Sequence, residues 1–232
     1  MSKVIDLKKD MLKLADPKQA SNLQRFFKTG KGDYGEGDIF IGLKVPEQRK
    51  LSKKYKDLSL DHIQELLNSK IHEHRLTALF ILVNRYKKVE EDEKKHIFDF
   101  YIKNTKNINN WDLVDSSAPY IIGTYLLEKD KSILYTLAKS NNLWERRISV
   151  LGSGGFIKNK QYDDLLKISE ILLKDEHDLI HKAVGWMLRE IGKRNQEVEE
   201  DFLKKHYKVM PRTMLRYSIE KFSKSKRKFY MG

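Results

Sequence analysis

The sequence predicts an all-α fold, a curved superhelical solenoid of HEAT- or armadillo-like helical repeats. Three observations carry that expectation. Apolar residues recur at helical spacing in nearly every segment, strand-period alternation is scarce, and amphipathic pairs return every ~35–45 residues with no long linker between them. A closed helical bundle is the competing arrangement. The 232 residues are expected to form a single repeat domain over 1–232, long enough to bury a core without disulfide or metal staples.

Taken in order, the periodicity predicts helices over 3–14, 17–28, 46–56, 60–68, 71–87, 91–104, 110–127, 131–140, 143–158, 162–174, 177–193, 196–206 and 211–222. Short breaks of Asn, Asp, Ser, Lys and Gly separate them. Pro17, Pro46 and Pro211 suit the first turn of a helix, where the missing amide hydrogen is not needed. Pro119 falls inside the run from Trp111 to Leu127 and is expected to kink or split it near Ser117 and Ala118. The glycine-rich stretch at about 29–38 reads as a flexible surface loop. Lys224, Lys226, Arg227 and Lys228 read as a solvated tail.

Composition narrows the function. Forty-six Lys and Arg against 33 Asp and Glu give a formal charge of +13, enough to attract a polyanion and to make nucleic acid the leading partner. Cysteine is absent, which excludes disulfides, Cys-ligated zinc, iron–sulfur clusters and cysteine nucleophiles. No apolar run is long enough to span a bilayer, and the start of the chain lacks the features of a signal peptide, so a cytoplasmic protein is expected, nucleoid-associated when bound to DNA.

Three tryptophans at roughly repeat-length spacing each have a charged residue one helical turn later: Trp111 with Asp115, Trp144 with Arg147, and Trp186 with Arg189. If the three helices are equivalent members of successive repeats, their faces line up along one concave surface. For any single pair, a core tryptophan flanked by a capping charge is the simpler reading. Recurrence favours a ligand-facing groove, because an unpaired charge is costly to bury. Such a groove suits a cationic base: indole faces attract cations by about 0.5–2 kcal/mol each. A carboxylate stabilises the oxocarbenium character left on the sugar and positions a water. A cationic base needs no general acid to help it leave, so one carboxylate suffices.

The segments NNWDLVDSSAP, LWERRISVL and HKAVGWMLREIGKR resemble the motifs of the AlkD-like DNA alkylation repair glycosylases, which are built of HEAT-like repeats. With FFKTGKGDYGEGDIFIGLKVPEQRKL and MPRTMLRYSIEKF, the resemblance covers essentially the whole chain in order. It implies a monofunctional DNA glycosylase of base excision repair, a hydrolase that removes N3- or N7-alkylated purines from duplex DNA without metal or cofactor, acting as a monomer. Asp115 matches the family's catalytic aspartate, Trp111 and Trp186 its lesion-contacting aromatics, and Arg147 the arginine that contacts the backbone beside the lesion. Trp144 is expected on the DNA or packed under Arg147. Arg189 is expected on a phosphate or on a carboxylate such as Glu190 or Glu145. Phe26 stands where the best-known members carry a tyrosine near the DNA. Lys28, Lys31 and Lys182 are further expected phosphate contacts. The alternative reading is a noncatalytic HEAT-like module that binds unusual DNA structure. A protein-binding scaffold is more remote.

Other signals carry less. Gly30 to Gly37 includes a formal GxGxxG, yet it follows a helix rather than a strand and holds two acids where a pyrophosphate would lie. His72 and His74 flank Glu73, and His177 and His181 lie four apart, but neither group completes a ligand set, so satisfied surface or interface histidines are expected.

Overall fold

The computed structural model describes residues 3–232. Among these it is all-α, with fifteen α-helices, four short 3₁₀ segments and an isolated parallel bridge between Ile39 and Ile71. The chain forms two compact units, the first ending at Ser117 and the second covering Ala118–Gly232.

The first unit contains α1 (Lys3–Lys13), α2 (Pro17–Phe26), α3 (Val45–Lys54), α4 (Leu60–Leu67), α5 (His72–Tyr86), α6 (Glu91–Lys103) and α7 (Trp111–Asp115). Helix α5 is its axis and packs against α3, α4, α6 and α7. The sequence explains why: Leu76 to Val83 of α5 is apolar on every face except at Thr77, and a helix without a polar stripe has to be surrounded. Helix starts follow the expected chemistry. Asp16 accepts from the amides of Lys18 and Gln19 with Pro17 in the first turn of α2, and Ser59 caps α4.

Between α2 and α3 the chain first turns through the glycine-rich stretch and then forms a buried strap. Within the stretch, Gly32 N–H donates to Glu36 and Gly35 N–H to the Lys28 carbonyl. In the strap, the Ile41, Gly42 and Leu43 amides all donate to the Glu73 carboxylate at 2.9–3.2 Å. Gly42 adopts φ +84°, and a Cβ there would lie 2.0 Å from the Asp16 carbonyl oxygen, so only glycine fits.

The second unit contains α8 (Ala118–Tyr125), α9 (Ser132–Ala138), α10 (Leu143–Gly154), α11 (Asp163–Ile171), α12 (Asp178–Gly192), α13 (Gln196–His206), α14 (Arg212–Ser218) and α15 (Lys224–Met231). Helices α8, α10, α12 and α14 pack in succession. Helix α9 lies against α10, α11 against α10 and α12, and α13 against α12. This is the paired, nearest-neighbour arrangement that the periodicity predicts. Close crossings use glycine: a Cβ on Gly185 of α12 would lie 2.4 Å from the Met214 carbonyl oxygen of α14.

The helix expected over 110–127 is split, with α7 ending at Asp115 and α8 starting at Ala118, as Pro119 requires. The segment expected over 143–158 stops at Gly154 and continues as a 3₁₀ turn, because Gly152, Gly154 and Gly155 weaken its last turns. Pro211 stands one residue earlier than expected, as the N-cap of α14. The C-terminal basic run is a helix rather than a tail. Ser223 caps α15, and Tyr230 is buried against Tyr207 and Phe222, which supplies the apolar anchor that a run of lysines hides in the sequence. Among the described residues no helix is long and apolar enough to cross a membrane.

Candidate active site

Helix α7 carries Trp111 and Asp115 and is only five residues long. A helix this short does not hold itself in water, so its placement depends on what ties it down. Leu113 and Val114 are fully buried beneath it, and the Asn110 side chain accepts from the Trp111 amide at its head. A further tie is electrostatic and runs to the first turn of α5.

That turn reads His72-Glu73-His74-Arg75, four polar side chains each at most 5% exposed. His72 Nδ1 lies 3.0 Å from Asp38 Oδ2 and its Nε2 lies 2.8 Å from Asp112 Oδ2. Arg75 Nη2 donates to Asp38 Oδ1 at 2.6 Å, and the Asn110 amide donates to Asp38 Oδ2 at 3.2 Å. Two carboxylates, one imidazole and one guanidinium therefore share a buried site, and each ring nitrogen of His72 faces an acceptor. Burial alone would lower the His72 pKa. The Asp112 charge, with hydrogen bonds to Asp112 and Asp38, overcomes this and holds it up at about 9. Asp38, which burial would push up, is held below the usual carboxylate range by His72 and Arg75.

The His72 ring also belongs to an aromatic stack. It lies against Phe40 (4.5 Å between centroids) and Phe27 (5.0 Å), and Phe27 stacks on the Trp111 indole at 5.2 Å and 14°. Phe26 meets the same indole edge-on at 6.0 Å and is 64% exposed. Trp111 thus has one face on a rigid stack while remaining half-buried. Asp115, one turn further along α7, is also half-buried, and its charge adds to burial in raising the pKa of the Tyr101 phenol, which is hydrogen-bonded to Ser117 at 2.8 Å.

In the second unit, α10 carries Trp144 and Arg147, and α12 carries Lys182, Trp186 and Arg189. Trp144 is 7% exposed and lies in the core of this unit. Arg147 is 5% exposed and donates from Nη1 to the Leu179 carbonyl at 2.6 Å, while neighbouring Arg146 pairs with Asp175 at 2.6 Å. Both arginines therefore tie α10 to the turn that starts α12. Trp186 is half-buried. Arg189 pairs with Glu220, a carboxylate other than Glu190 or Glu145, because α14 and the turn after it pack on α12. Lys182 pairs with Asp178 at 2.6 Å, and Lys28 and Lys31 stand exposed at the glycine-rich turns.

Two of the histidines differ from expectation and two do not. His72 and His74 are core residues, not surface ones. His177 caps α12 by accepting from the Leu179 amide, and His181 donates to the Asp175 carbonyl. Among the described residues no group of three or more His, Asp or Glu has the geometry to hold a metal ion. Sequence reasoning missed the Asp38–His72–Asp112 cluster. Its one local signal is the polar quartet at the head of the most apolar helix.

The family model for the DNA alkylation repair enzyme matches residues 7–222. No curated protein matches the chain. Solved structures that share its fold include three from two organisms. A protein from Enterococcus faecalis described as a predicted DNA alkylation repair enzyme is 19% identical, with TM-score 0.70, over 90% of this chain and 97% of that one. AlkD2 from Streptococcus mutans is 18% identical, with TM-score 0.55, over 89% and 98%. The smu.31 protein of Streptococcus mutans UA159 is 18% identical, with TM-score 0.53, over 87% and 94%. With its all-α repeats and a family match that runs through both units, the chain belongs to the DNA alkylation repair enzyme family.

Proposed function

We propose that the protein is a monofunctional DNA N-glycosylase that removes N3- or N7-alkylated purines from duplex DNA. The observation that carries this reading is the pairing on α7 of a stacked, half-buried indole, Trp111, with a half-buried carboxylate one turn away, Asp115. The first attracts a cationic base and the second stabilises the sugar cation that its departure creates.

In the reaction, the bond between C1′ and the purine nitrogen breaks and its electron pair leaves with the base, neutralising it. The oxocarbenium sugar is held by Asp115, which also orients a water. Addition of that water to C1′ with loss of its proton leaves an abasic site. The family resemblance also assigns Trp186 to the lesion and Arg147 to a phosphate beside it. Phe26 contributes an aromatic edge where a hydroxyl would otherwise stand, and Lys28, Lys31 and Lys182 add attraction to the backbone that weakens with salt.

The test is release of 7-methylguanine and 3-methyladenine from methylated duplex DNA, with Asp115→Asn and a no-protein control for spontaneous depurination. Release by the wild type and its collapse in Asp115→Asn, with duplex affinity kept, is the expected result. Folded, DNA-binding protein that releases no base above the control would overturn the reading in favour of a noncatalytic DNA-binding module.

A further inference from the structure

We infer that His72 is a positioning residue for α7: bound between Asp38 and Asp112 as a doubly donating imidazolium, it fixes the helix that carries Trp111 and Asp115. This inference rests on the glycosylase reading for its link to chemistry, and on geometry for the rest.

Both partners of the ring are carboxylates. Asp38 is already committed to Arg75 and Asn110 as an acceptor. A neutral imidazole has one donor and one acceptor, so it satisfies one of these carboxylates and opposes the other; the imidazolium donates to both. With Arg75 the cluster then holds two positive and two negative charges, a balance that a site at most 2% exposed at the imidazole requires. His72 acts on α7 in two ways. Its Nε2 holds Asp112, which lies three residues before Asp115 and so on the same side of the helix. Its ring face supports Phe27, which supports the Trp111 indole. Loss of the imidazolium releases the carboxylate tether and unseats the stack together. Five residues of helix have little stiffness of their own, so α7 depends on such contacts for its place.

His72→Gln and Asp112→Asn are compared with wild type in single-turnover base release and in duplex affinity. The protein is also labelled with 5-fluorotryptophan, its three ¹⁹F resonances assigned by single Trp→Phe substitutions. In His72→Gln the release rate is expected to fall on the order of 100-fold, the cost of a displacement of about 1 Å at a reacting centre. Duplex affinity should be unchanged. Asp112→Asn, whose amide oxygen still accepts from Nε2, should fall less. In both variants the Trp111 resonance moves while those of Trp144 and Trp186 stay in place. Folded variants with the wild-type Trp111 resonance, or ones in which all three resonances move together, overturn the inference. If the wild type itself releases no base, the glycosylase reading fails and the Trp111 resonance alone decides the positioning role. If His72→Gln does not fold, Asp112→Asn decides.

Discussion

His72 Nε2 lies 2.8 Å from Asp112 Oδ2, and this contact joins the first turn of the longest-buried helix of the first unit to the short helix that carries Trp111 and Asp115. Its chemistry makes the stability of that unit depend on pH. Asp38, Asp112 and Arg75 are the charged groups facing the ring, from the strap, α7 and α5 respectively.

The folded-state pKa of His72, about 9, lies above the ordinary value of 6.5. Its contribution is therefore fully present below pH 6.5 and is lost as pH rises through 9. The wild type is expected to lose about 1–3 kcal/mol between pH 6.5 and 9.5 that His72→Gln does not lose. Urea unfolding of both proteins at the two pH values measures this. Parallel curves would remove His72 from the account.

Trp111→Ala removes one of the two rings stacked on Phe27, Phe40 being the other, and leaves the lesion without an indole face. Base release is expected to slow by about 2–30-fold, the equivalent of about 0.5–2 kcal/mol of cation–π attraction. Release of a neutral base such as hypoxanthine should be affected less. Equal slowing for charged and neutral bases would show that the indole acts by shape alone. Single-turnover release from defined duplexes distinguishes the two.

Gly185→Ala places a methyl 2.4 Å from the Met214 carbonyl oxygen and 2.6 Å from Tyr217 Cβ, so α12 and α14 must separate. A loss of about 1–3 kcal/mol is expected, as for other overpacked contacts. Thermal unfolding measures it. An unchanged midpoint would mean that the crossing relaxes freely.

Glu199 lies buried against Gly192, with Oε1 unpartnered. Burial, then the charge of Glu200, raises its pKa to about 8 against the opposing pull of Arg189. An acid whose folded value is raised binds more protons folded than unfolded, so stability falls as pH rises from 4.5 through 8. Glu199→Gln is expected to be close to neutral at pH 4.5 and stabilising by about 1–3 kcal/mol at pH 8.5. Melting curves at both pH values check the sign.

Helix periodicity made most of the fold legible, since thirteen expected segments correspond to α1 through α14 once Pro119 divides one of them. Periodicity reports which face of a segment is apolar, and neighbouring repeats need little more than that to pack. It failed at α15, where one tyrosine supplies the burial for a helix of lysines. The site was legible where its members are close in sequence. Trp111 and Asp115 share a turn of one helix, and that pairing is written in their spacing.

Sequence by itself determined the helical class, the repeat length, the break before Pro119 and the tryptophan–charge pairs, because each depends on contacts within a few residues. Only the tertiary structure decided what those side chains meet. Arg189 meets Glu220, Arg147 meets the Leu179 carbonyl, and Trp144 enters the core. The same holds for His72, which reads as an ordinary histidine until folding brings Asp38 and Asp112 to its two nitrogens. A buried charge is tolerated only where distant parts of the chain supply its partners, and nothing in local spacing records which parts will meet.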